Sequence, residues 1–254
     1  MSTAAMRLKE NFDTDGFVKM HGFLSAAELS EIKENLDRLI RDVVPTMPPA
    51  HAFFEDKNNP ASLKQLFHLA DYDPFFKQLV AGSKFEKMAE TLLGEKTAKG
   101  EAEYFNKPPR IGKPTPPHQD AYYFMLAPPQ AITFWIALED VDYENGCLHY
   151  IPGSHLKGMR PHGKNDILGF SQCITDFGQE ADLNNEKPMP VKAGDVLAHH
   201  GMTIHRAPPN QSLSRSRRVL GLVYFGESAR EDVLAKQAYQ EKLSKERMVA
   251  IQTG

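Results

Sequence analysis

The sequence predicts a mainly β fold, a β-barrel or jelly roll, with a helical jacket. Helical patterns occupy the first third of the 254-residue chain. From about residue 100 the hydrophobic period becomes that of strands, and turns rich in Gly, Pro and Asn separate the short apolar runs. Helices first and many short strands afterwards indicate one β core with helices packed on its outside.

Start and stop signals define the predicted helices. Ser25-Ala-Ala-Glu28 predicts a capping box, because each end side chain can satisfy a free backbone N–H of the first turn. Apolar residues then follow at helical spacing until Pro45 ends the run. A second helical stretch is predicted from about Pro74 to Leu93, with an interruption near Gly82-Ser83 and a stop at Gly94.

Two-residue alternation predicts the strands. The clearest run alternates two sets of residues: Ile132, Phe134, Ile136 and Leu138 against Thr133, Trp135 and Ala137. Further short strands are predicted at Cys147–Ile151, Val196–His199 and Arg217–Phe225. Pro45–Pro60 and Leu156–Pro190 are predicted as long loops, which in compact domains are often lids or binding loops. For the second of these, a disordered surface insertion is the alternative.

A single domain is expected over residues 1–254, since β-barrels and sandwiches often reach this length as one unit. Within it we expect a helical N-terminal part over about 1–95, a β core over about 97–226 and a C-terminal helix over about 230–250.

Composition excludes several classes of function. The net charge of −3 offers no basic field for nucleic acid or an anionic membrane. Two cysteines are too few for a disulfide framework or a thiolate metal site. The N-terminus carries charges where a signal peptide needs its apolar core, and no run of about 20 apolar residues could span a bilayer. A cytoplasmic protein that acts on a small molecule is therefore expected.

The residues with the clearest chemistry are His118-Gln119-Asp120 and His205. Residues i and i+2 of a strand point to one face, so His118 and Asp120 can present an imidazole and a carboxylate together. With His205 from a second strand they would form the ligand set of non-heme iron(II) oxygenases. Spacing alone leaves two alternatives: a purely structural histidine–carboxylate pair, or His199 or His200 in place of His205.

Six blocks carry a family resemblance: Tyr104–Asp120, Trp135–Asp140, Glu144–His155, Ala193–Asp195, His205 and Arg217. In order and spacing they resemble the phytanoyl-CoA dioxygenase family over roughly residues 8–226, and Glu144–His155 is the most specific block. The resemblance implies a double-stranded β-helix of the cupin type. It also implies an enzyme that uses Fe(II), 2-oxoglutarate and O2, with His118, Asp120 and His205 as metal ligands rather than His199 or His200.

The activity implied by this resemblance is hydroxylation of a small-molecule metabolite with release of succinate and CO2. Asp120 favours hydroxylation, or a related desaturation, over halogenation, because related halogenases replace this carboxylate to open a place for halide. Two alternatives come from other classes of protein. One is a cupin-like Zn or Mn enzyme that works without 2-oxoglutarate, and the other is a non-catalytic β-sandwich binding module.

The far carboxylate of 2-oxoglutarate needs a cation, and the planar fork of arginine suits this task. Arg215, Arg217 and Arg218 are candidates, and strand periodicity leaves open whether Arg217 or Arg218 points inward. The resemblance favours Arg217, places Trp135 in the 2-oxoglutarate pocket and matches Lys64 to a lysine that reaches the co-substrate.

The chain departs from the family at two positions. Ala207 stands where relatives often have a serine that helps to hold the distal carboxylate. Glu103 stands where a methionine or a polar residue is common, and its carboxylate would repel a nearby dicarboxylate.

Substrate contacts are expected from Tyr122 and Phe124, which would share a strand face with the iron ligands. Packing of Tyr122 in the barrel core is the alternative. Arg110 lies on a predicted loop that could meet an anionic substrate. The segments His51–Asn59 and Leu156–Asn165 are expected to close over the cavity as lids.

Overall fold

A computed structural model describes residues 3–239 and 241 of the chain. Its α-helices are α1 (Thr3–Asp15), α2 (Ala26–Asp42), α3 (Leu69–Tyr72), α4 (Pro74–Val80), α5 (Lys84–Leu93), α6 (Ala121–Phe124) and α7 (Glu180–Asn185). Short 3-10 turns lie at Val44–Thr46, Pro60–Ser62 and Ser154–Lys157. Within the described part of the chain, no helix is long and apolar enough to cross a membrane.

The strands, in chain order, are β1 (Phe17–Met20), β2 (Ala52–Phe54), β3 (Leu63–Leu66), β4 (Thr97–Lys107), β5 (Thr115–His118), β6 (Leu126–Ala127), β7 (Ala131–Ala137), β8 (Leu148–Tyr150), β9 (His162–Ile167), β10 (Phe170–Ile174), β11 (Lys187–Met189), β12 (Val196–His200), β13 (His205–Ala207), β14 (Arg217–Gly226) and β15 (Arg230–Glu231).

Two antiparallel sheets form the core. The larger has seven strands in the order β1-β12-β7-β14-β4-β3-β2, and the smaller has four in the order β11-β8-β13-β5. The core strands β4, β5, β7 and β8 alternate between the two sheets, and so do β11, β12, β13 and β14, which is the arrangement of a jelly roll or double-stranded β-helix. The predicted mainly β fold with helices around it is therefore confirmed.

Strand β7 has one face toward the helices and the other toward the barrel interior. Phe134 belongs to the core that the helices cover, and its ring lies 5.8 Å from that of Phe85 in α5. Thr133 and Trp135, on the other face, line a cavity between the sheets. Every residue of β7 is buried for this reason, although its sequence alternates.

The predicted helix signals are confirmed. Ser25 caps α2 with both hydrogen bonds of the capping box. The stretch from Pro74 to Leu93 forms α4 and α5, and Gly94 ends it in the left-handed conformation that glycine adopts without strain, with φ at 79°. The predicted C-terminal helix is helical over residues 233–239 and at 241. Its predicted first residues form β15 (Arg230–Glu231) instead, and residues 240 and 242–250 lie outside the described part of the chain.

Two expectations about regular structure were wrong. The N-terminal part is not only helical, because β1 lies at one edge of the large sheet and β3 and β2 lie at the other. The predicted long loops contain β2 and then the β9–β10 hairpin, α7 and β11. These short strands lack a clear alternation of their own. Pairing with distant strands determines the conformation of β1 and β11, which pair with β12 and β8. Strands β2 and β3, and β9 and β10, pair with each other as neighbours in the chain.

Ser25→Ala should lower the free energy of unfolding by about 1 kcal/mol, because the backbone N–H of Glu28 loses its side-chain acceptor. Urea denaturation followed by circular dichroism measures this change. Ser30→Ala is the matched control, since the Ser30 hydroxyl donates to Glu34 on the exposed face of the same helix. Its effect should stay within about 0.5 kcal/mol, and equal losses in the two variants would contradict a specific capping role.

Candidate metal centre

Three metal-binding side chains come together at the end of the small sheet. One ligand atom from each of His118, Asp120 and His205 lies within 4.8 Å of the other two. Strands β5 and β13 are antiparallel neighbours in which His205 lies opposite His118, and the two ring centroids are 4.2 Å apart. The structure thus assembles the predicted ligand set.

Asp120 reaches this position by a different route from the one predicted. Strand β5 ends at His118, and Asp120 is the N-cap residue of α6 with φ −56° and ψ −35°. The helical turn, rather than strand alternation, therefore turns the carboxylate toward the two imidazoles. The strand prediction was wrong from this point onward, because the alternation in the sequence is too short to separate a strand from one turn of helix.

The two imidazoles have their metal-binding nitrogens directed at the same point. Nδ1–H of His118 donates to the carbonyl oxygen of Pro116 at 2.8 Å, and Nδ1–H of His205 donates to that of Thr203 at 3.0 Å. These bonds leave the lone pair on Nε2 in both rings. The Nε2 atoms lie 3.3 Å and 3.6 Å from Oδ1 of Asp120.

The two oxygens of the Asp120 carboxylate have different partners. Oδ2 accepts hydrogen bonds from Oγ1 of Thr133 at 2.8 Å and from Nε2 of His199 at 3.1 Å. His199 can donate from Nε2 because its Nδ1 accepts from the hydroxyl of Tyr150 at 2.8 Å. Oδ2 is therefore occupied by the protein, and Oδ1 is the oxygen that faces the imidazoles.

The charge state of the cluster suits a divalent cation. Burial alone would raise the pKa of Asp120, but its imidazole surroundings, including the hydrogen bond that Nε2 of His199 donates to Oδ2, hold that pKa well below the ordinary value. Burial, reinforced by the neighbouring His118 and His199 rings, holds the pKa of His205 well below its ordinary value. The site thus combines a neutral imidazole and a carboxylate, the forms in which these groups bind metals.

His199 and His200, the alternatives to His205 as a metal ligand, lie in different surroundings. His199 supports Asp120 from outside the cluster. His200 points away: its Nδ1 accepts from the backbone N–H of Met202 at 3.1 Å, and its ring lies 6.2 Å from that of Phe12. Burial lowers the pKa of His200 to about 4.

The cluster opens into a cavity of about 200 Å³, whose lining includes the predicted residues Arg217, Trp135 and Lys64. Arg217 is 4% exposed, and its guanidinium carbon lies 5.3 Å from the centre of the Trp135 ring. Burial lowers the pKa of Arg217 to about 10, so the side chain remains charged at neutral pH. Arg218, one residue later, points to the other side of the sheet and forms an ion pair with Asp37 of α2.

Two lysines lie with Arg217 at what we call the cationic end of the cavity, formed by Arg217, Lys64 and Lys107. Nζ of Lys64 lies 3.0 Å from Oε1 of Glu55. Nζ of Lys107 donates to the carbonyl oxygens of Lys113 at 2.7 Å and Pro208 at 2.9 Å. Sequence reasoning missed Lys107, which lies opposite Arg217 in the pairing of β4 with β14.

The structure places one of the predicted substrate residues in the cavity and the other two outside it. Phe124 lines the cavity, and Tyr123 does so in place of Tyr122. Tyr122 instead stacks on the ring of His162 with centroids 4.2 Å apart, because α6 rotates the side chains by the helical period. Arg110 is exposed, does not line the cavity, and donates from Nε to the carbonyl oxygen of Leu213 at 3.1 Å.

The two predicted lid segments also differ in position. His51–Asn59 contains β2, which lies at the outer edge of the large sheet, and none of its residues lines the cavity. Gly169, in the turn between β9 and β10, does line it. The β9–β10 hairpin, which begins within Leu156–Asn165 and continues beyond it, thus contributes to the cavity wall.

A double-stranded β-helix that directs two imidazoles and one carboxylate at one point defines a metalloenzyme with the ligand set of non-heme iron(II) oxygenases. The model of the phytanoyl-CoA dioxygenase (PhyH) family matches residues 12–219. The chain therefore belongs to this family, as the resemblance of its motifs predicted. Phytanoyl-CoA dioxygenase 1 of Oryza sativa subsp. japonica is 29% identical over 245 residues, which cover 83% of this chain and 85% of that protein.

Solved structures agree with this assignment. The epimerase SnoN, crystallised with Fe3+, alpha-ketoglutarate and nogalamycin RO, has a TM-score of 0.72 and 25% identity, with 90% of this chain and 86% of SnoN covered. The non-heme alpha-ketoglutarate-dependent carbocyclase SnoK has a TM-score of 0.71 and 25% identity, with 91% and 86% covered. The predicted double-stranded β-helix is thereby confirmed.

A graded series of variants tests the metal centre. His205→Ala should lose stoichiometric Fe(II) binding, because it removes a ligand, whereas His200→Ala should keep it. His199→Phe should weaken binding by about 10- to 100-fold without abolishing it, as the loss of a group that orients a ligand typically does. Anaerobic equilibrium dialysis with iron analysis measures all three. Loss of iron in His200→Ala with retention in His205→Ala would show that the ligand assignment is wrong.

Proposed function

We propose that this protein uses Fe(II), 2-oxoglutarate and O2 to hydroxylate a small molecule, with release of succinate and CO2. The observation that carries the proposal is the presence, in one cavity, of the His118–Asp120–His205 cluster and the buried guanidinium of Arg217. A Zn or Mn enzyme that works without 2-oxoglutarate would have no use for a buried cation at the far end of its metal cavity.

The donor atoms of the cluster fit Fe(II). Nitrogen and carboxylate oxygen are ligands that iron accepts, and three ligands on one side leave the remaining positions for 2-oxoglutarate and O2. In this proposal Nε2 of His118, Nε2 of His205 and Oδ1 of Asp120 would hold the metal. Thr133 and His199 would keep Oδ2 engaged, so that the carboxylate binds through one oxygen.

Arg217 fits the far carboxylate of 2-oxoglutarate. Its Nε is buried without a hydrogen-bond partner among the described residues. A buried cation without an anion is costly, and the dicarboxylate would supply the missing charge and acceptor atoms. Ala207 has no hydroxyl to share this task, so Arg217 carries more of it than in relatives with a serine. Lys64 is already paired with Glu55 and would contribute less.

Bound iron and 2-oxoglutarate would supply the oxidation of a C–H bond by O2, and the chain would orient the substrate and exclude water. Tyr123 and Phe124 form the wall beside the metal cluster. The hydroxyl of Tyr123 donates to the carbonyl oxygen of Gln172 in β10 at 2.6 Å, which ties this wall to the hairpin over the cavity. Asp120 fills the third ligand position, which favours hydroxylation over halogenation.

Two measurements test the activity. The anaerobic complex with Fe(II) and 2-oxoglutarate should show a weak metal-to-ligand charge-transfer band, and O2 should then give slow succinate release without substrate. A screen of metabolite pools for faster succinate release identifies the substrate, and mass spectrometry should find one added oxygen atom in its product. Iron-loaded protein with neither band nor succinate would contradict the proposal. Coupled succinate release with a product that gains no oxygen would reject hydroxylation but not the oxygenase class.

Arg217→Ala should raise the 2-oxoglutarate concentration that half-saturates the charge-transfer band by roughly 30- to 4,000-fold, since losing one partner of a desolvated charge pair costs about 2–5 kcal/mol. Iron binding should remain, because Arg217 would touch only the far carboxylate. Arg218→Ala is the control, as this side chain pairs with Asp37 on the other side of the sheet. A larger effect in the control would reverse the assignment of the two arginines.

A further inference from the structure

Glu103 is a carboxyl group that lines the cavity and has no hydrogen-bond or ion-pair partner among the described residues. It lies on β4 opposite Gly221 of β14 and lines the same cavity as the metal cluster. Among the described residues no hydrogen bond or ion pair reaches its side chain. Burial raises the pKa of Glu103 to about 8, and the negative charges of Asp120 and Glu101 add to this effect.

The other acidic groups nearby are paired with basic side chains. Glu101, two residues earlier on β4, accepts from His68 at 3.0 Å and pairs with Lys99 at 3.2 Å. Glu55 pairs with Lys64 at 3.0 Å. Glu103, which is partly buried, is thus the exception among these carboxylates, although removing a carboxylate from water is costly unless it is paired.

The cavity is electrostatically divided. Gly221, the register partner of Glu103, is four residues from Arg217 along β14, a separation of about 13 Å at the usual rise of a strand. The negative 2-oxoglutarate would be drawn to the cationic end, and its charge would further disfavour the ionised form of Glu103. Glu103 is therefore available to bind the other ligand of the cavity, the substrate.

We infer that the substrate carries a positively charged nitrogen and that Glu103 binds it. This inference rests on the proposed function, because it assigns Glu103 to the substrate of the same site. An ammonium or amidinium group would supply the charge and the hydrogen-bond donors that Glu103 lacks. Phe67, Phe105 and Phe124 also line the cavity, and their rings would contact an apolar body attached to the cation.

The test compares benzylamine, a cation at neutral pH, with benzyl alcohol, its neutral counterpart. Isothermal titration calorimetry measures the binding of each to anaerobic protein that holds Fe(II) and 2-oxoglutarate. The wild-type protein should bind benzylamine about tenfold more tightly than the alcohol, or better. Glu103→Gln keeps the size of the side chain and should abolish that preference. Glu101→Gln is the matched control and should retain it, because Glu101 is already paired and does not line the cavity.

Three outcomes would overturn the inference: equal or tighter binding of benzyl alcohol, no binding of benzylamine at millimolar concentration, or an amine preference that survives in Glu103→Gln. The last would indicate direct binding of the amine nitrogen to iron. The charge-transfer band, recorded before either probe is added, reports the proposed function separately. A normal band without an amine preference therefore rejects the role of Glu103 and leaves the oxygenase assignment in place.

Discussion

The antiparallel pairing of β5 with β13 places His118 directly opposite His205. Neighbouring strands lie about 4.8 Å apart, so both imidazoles reach the same point without help from a loop. A slip of one residue in this register would turn one imidazole to the opposite face of the sheet. The register of this strand pair therefore determines whether the two imidazoles meet at the metal site. Strand β8, which also pairs with β13, helps to maintain that register.

The carboxylate of Asp120 links this sheet to the larger one. Its Oδ1 faces the imidazoles, while its Oδ2 is bound by Thr133 of β7 and His199 of β12. Both supporting residues belong to the large sheet, so the third ligand depends on how the two sheets pack. The hydroxyl of the buried Tyr150 determines which nitrogen of His199 donates. The orientation of Asp120 therefore depends on hydrogen bonds that run from Tyr150 through His199 to its carboxylate.

Specificity in this fold depends on the cavity walls rather than on the metal. SnoN is an epimerase and SnoK a carbocyclase, and both share the architecture of this chain. The cationic end suits a dicarboxylate, whereas the region of Glu103 suits the opposite charge. In the proposal made above, Glu103 would recognise the ligand that is particular to this chain.

Local sequence determined the elements and the chemistry: the capping box of α2, the alternation of β7, and the residue types His, Asp and Arg that a metal and a dicarboxylate need. These signals consist of residue types and of spacings within a few residues, so they can be found in one dimension. Tertiary structure decided the choice between Arg217 and Arg218 that strand periodicity left open. It also decided that Tyr123 rather than Tyr122 lines the cavity and that Lys107 lies beside Arg217. Each of these depends on strand pairing or on one turn of helix at Asp120, which distant parts of the chain determine through packing.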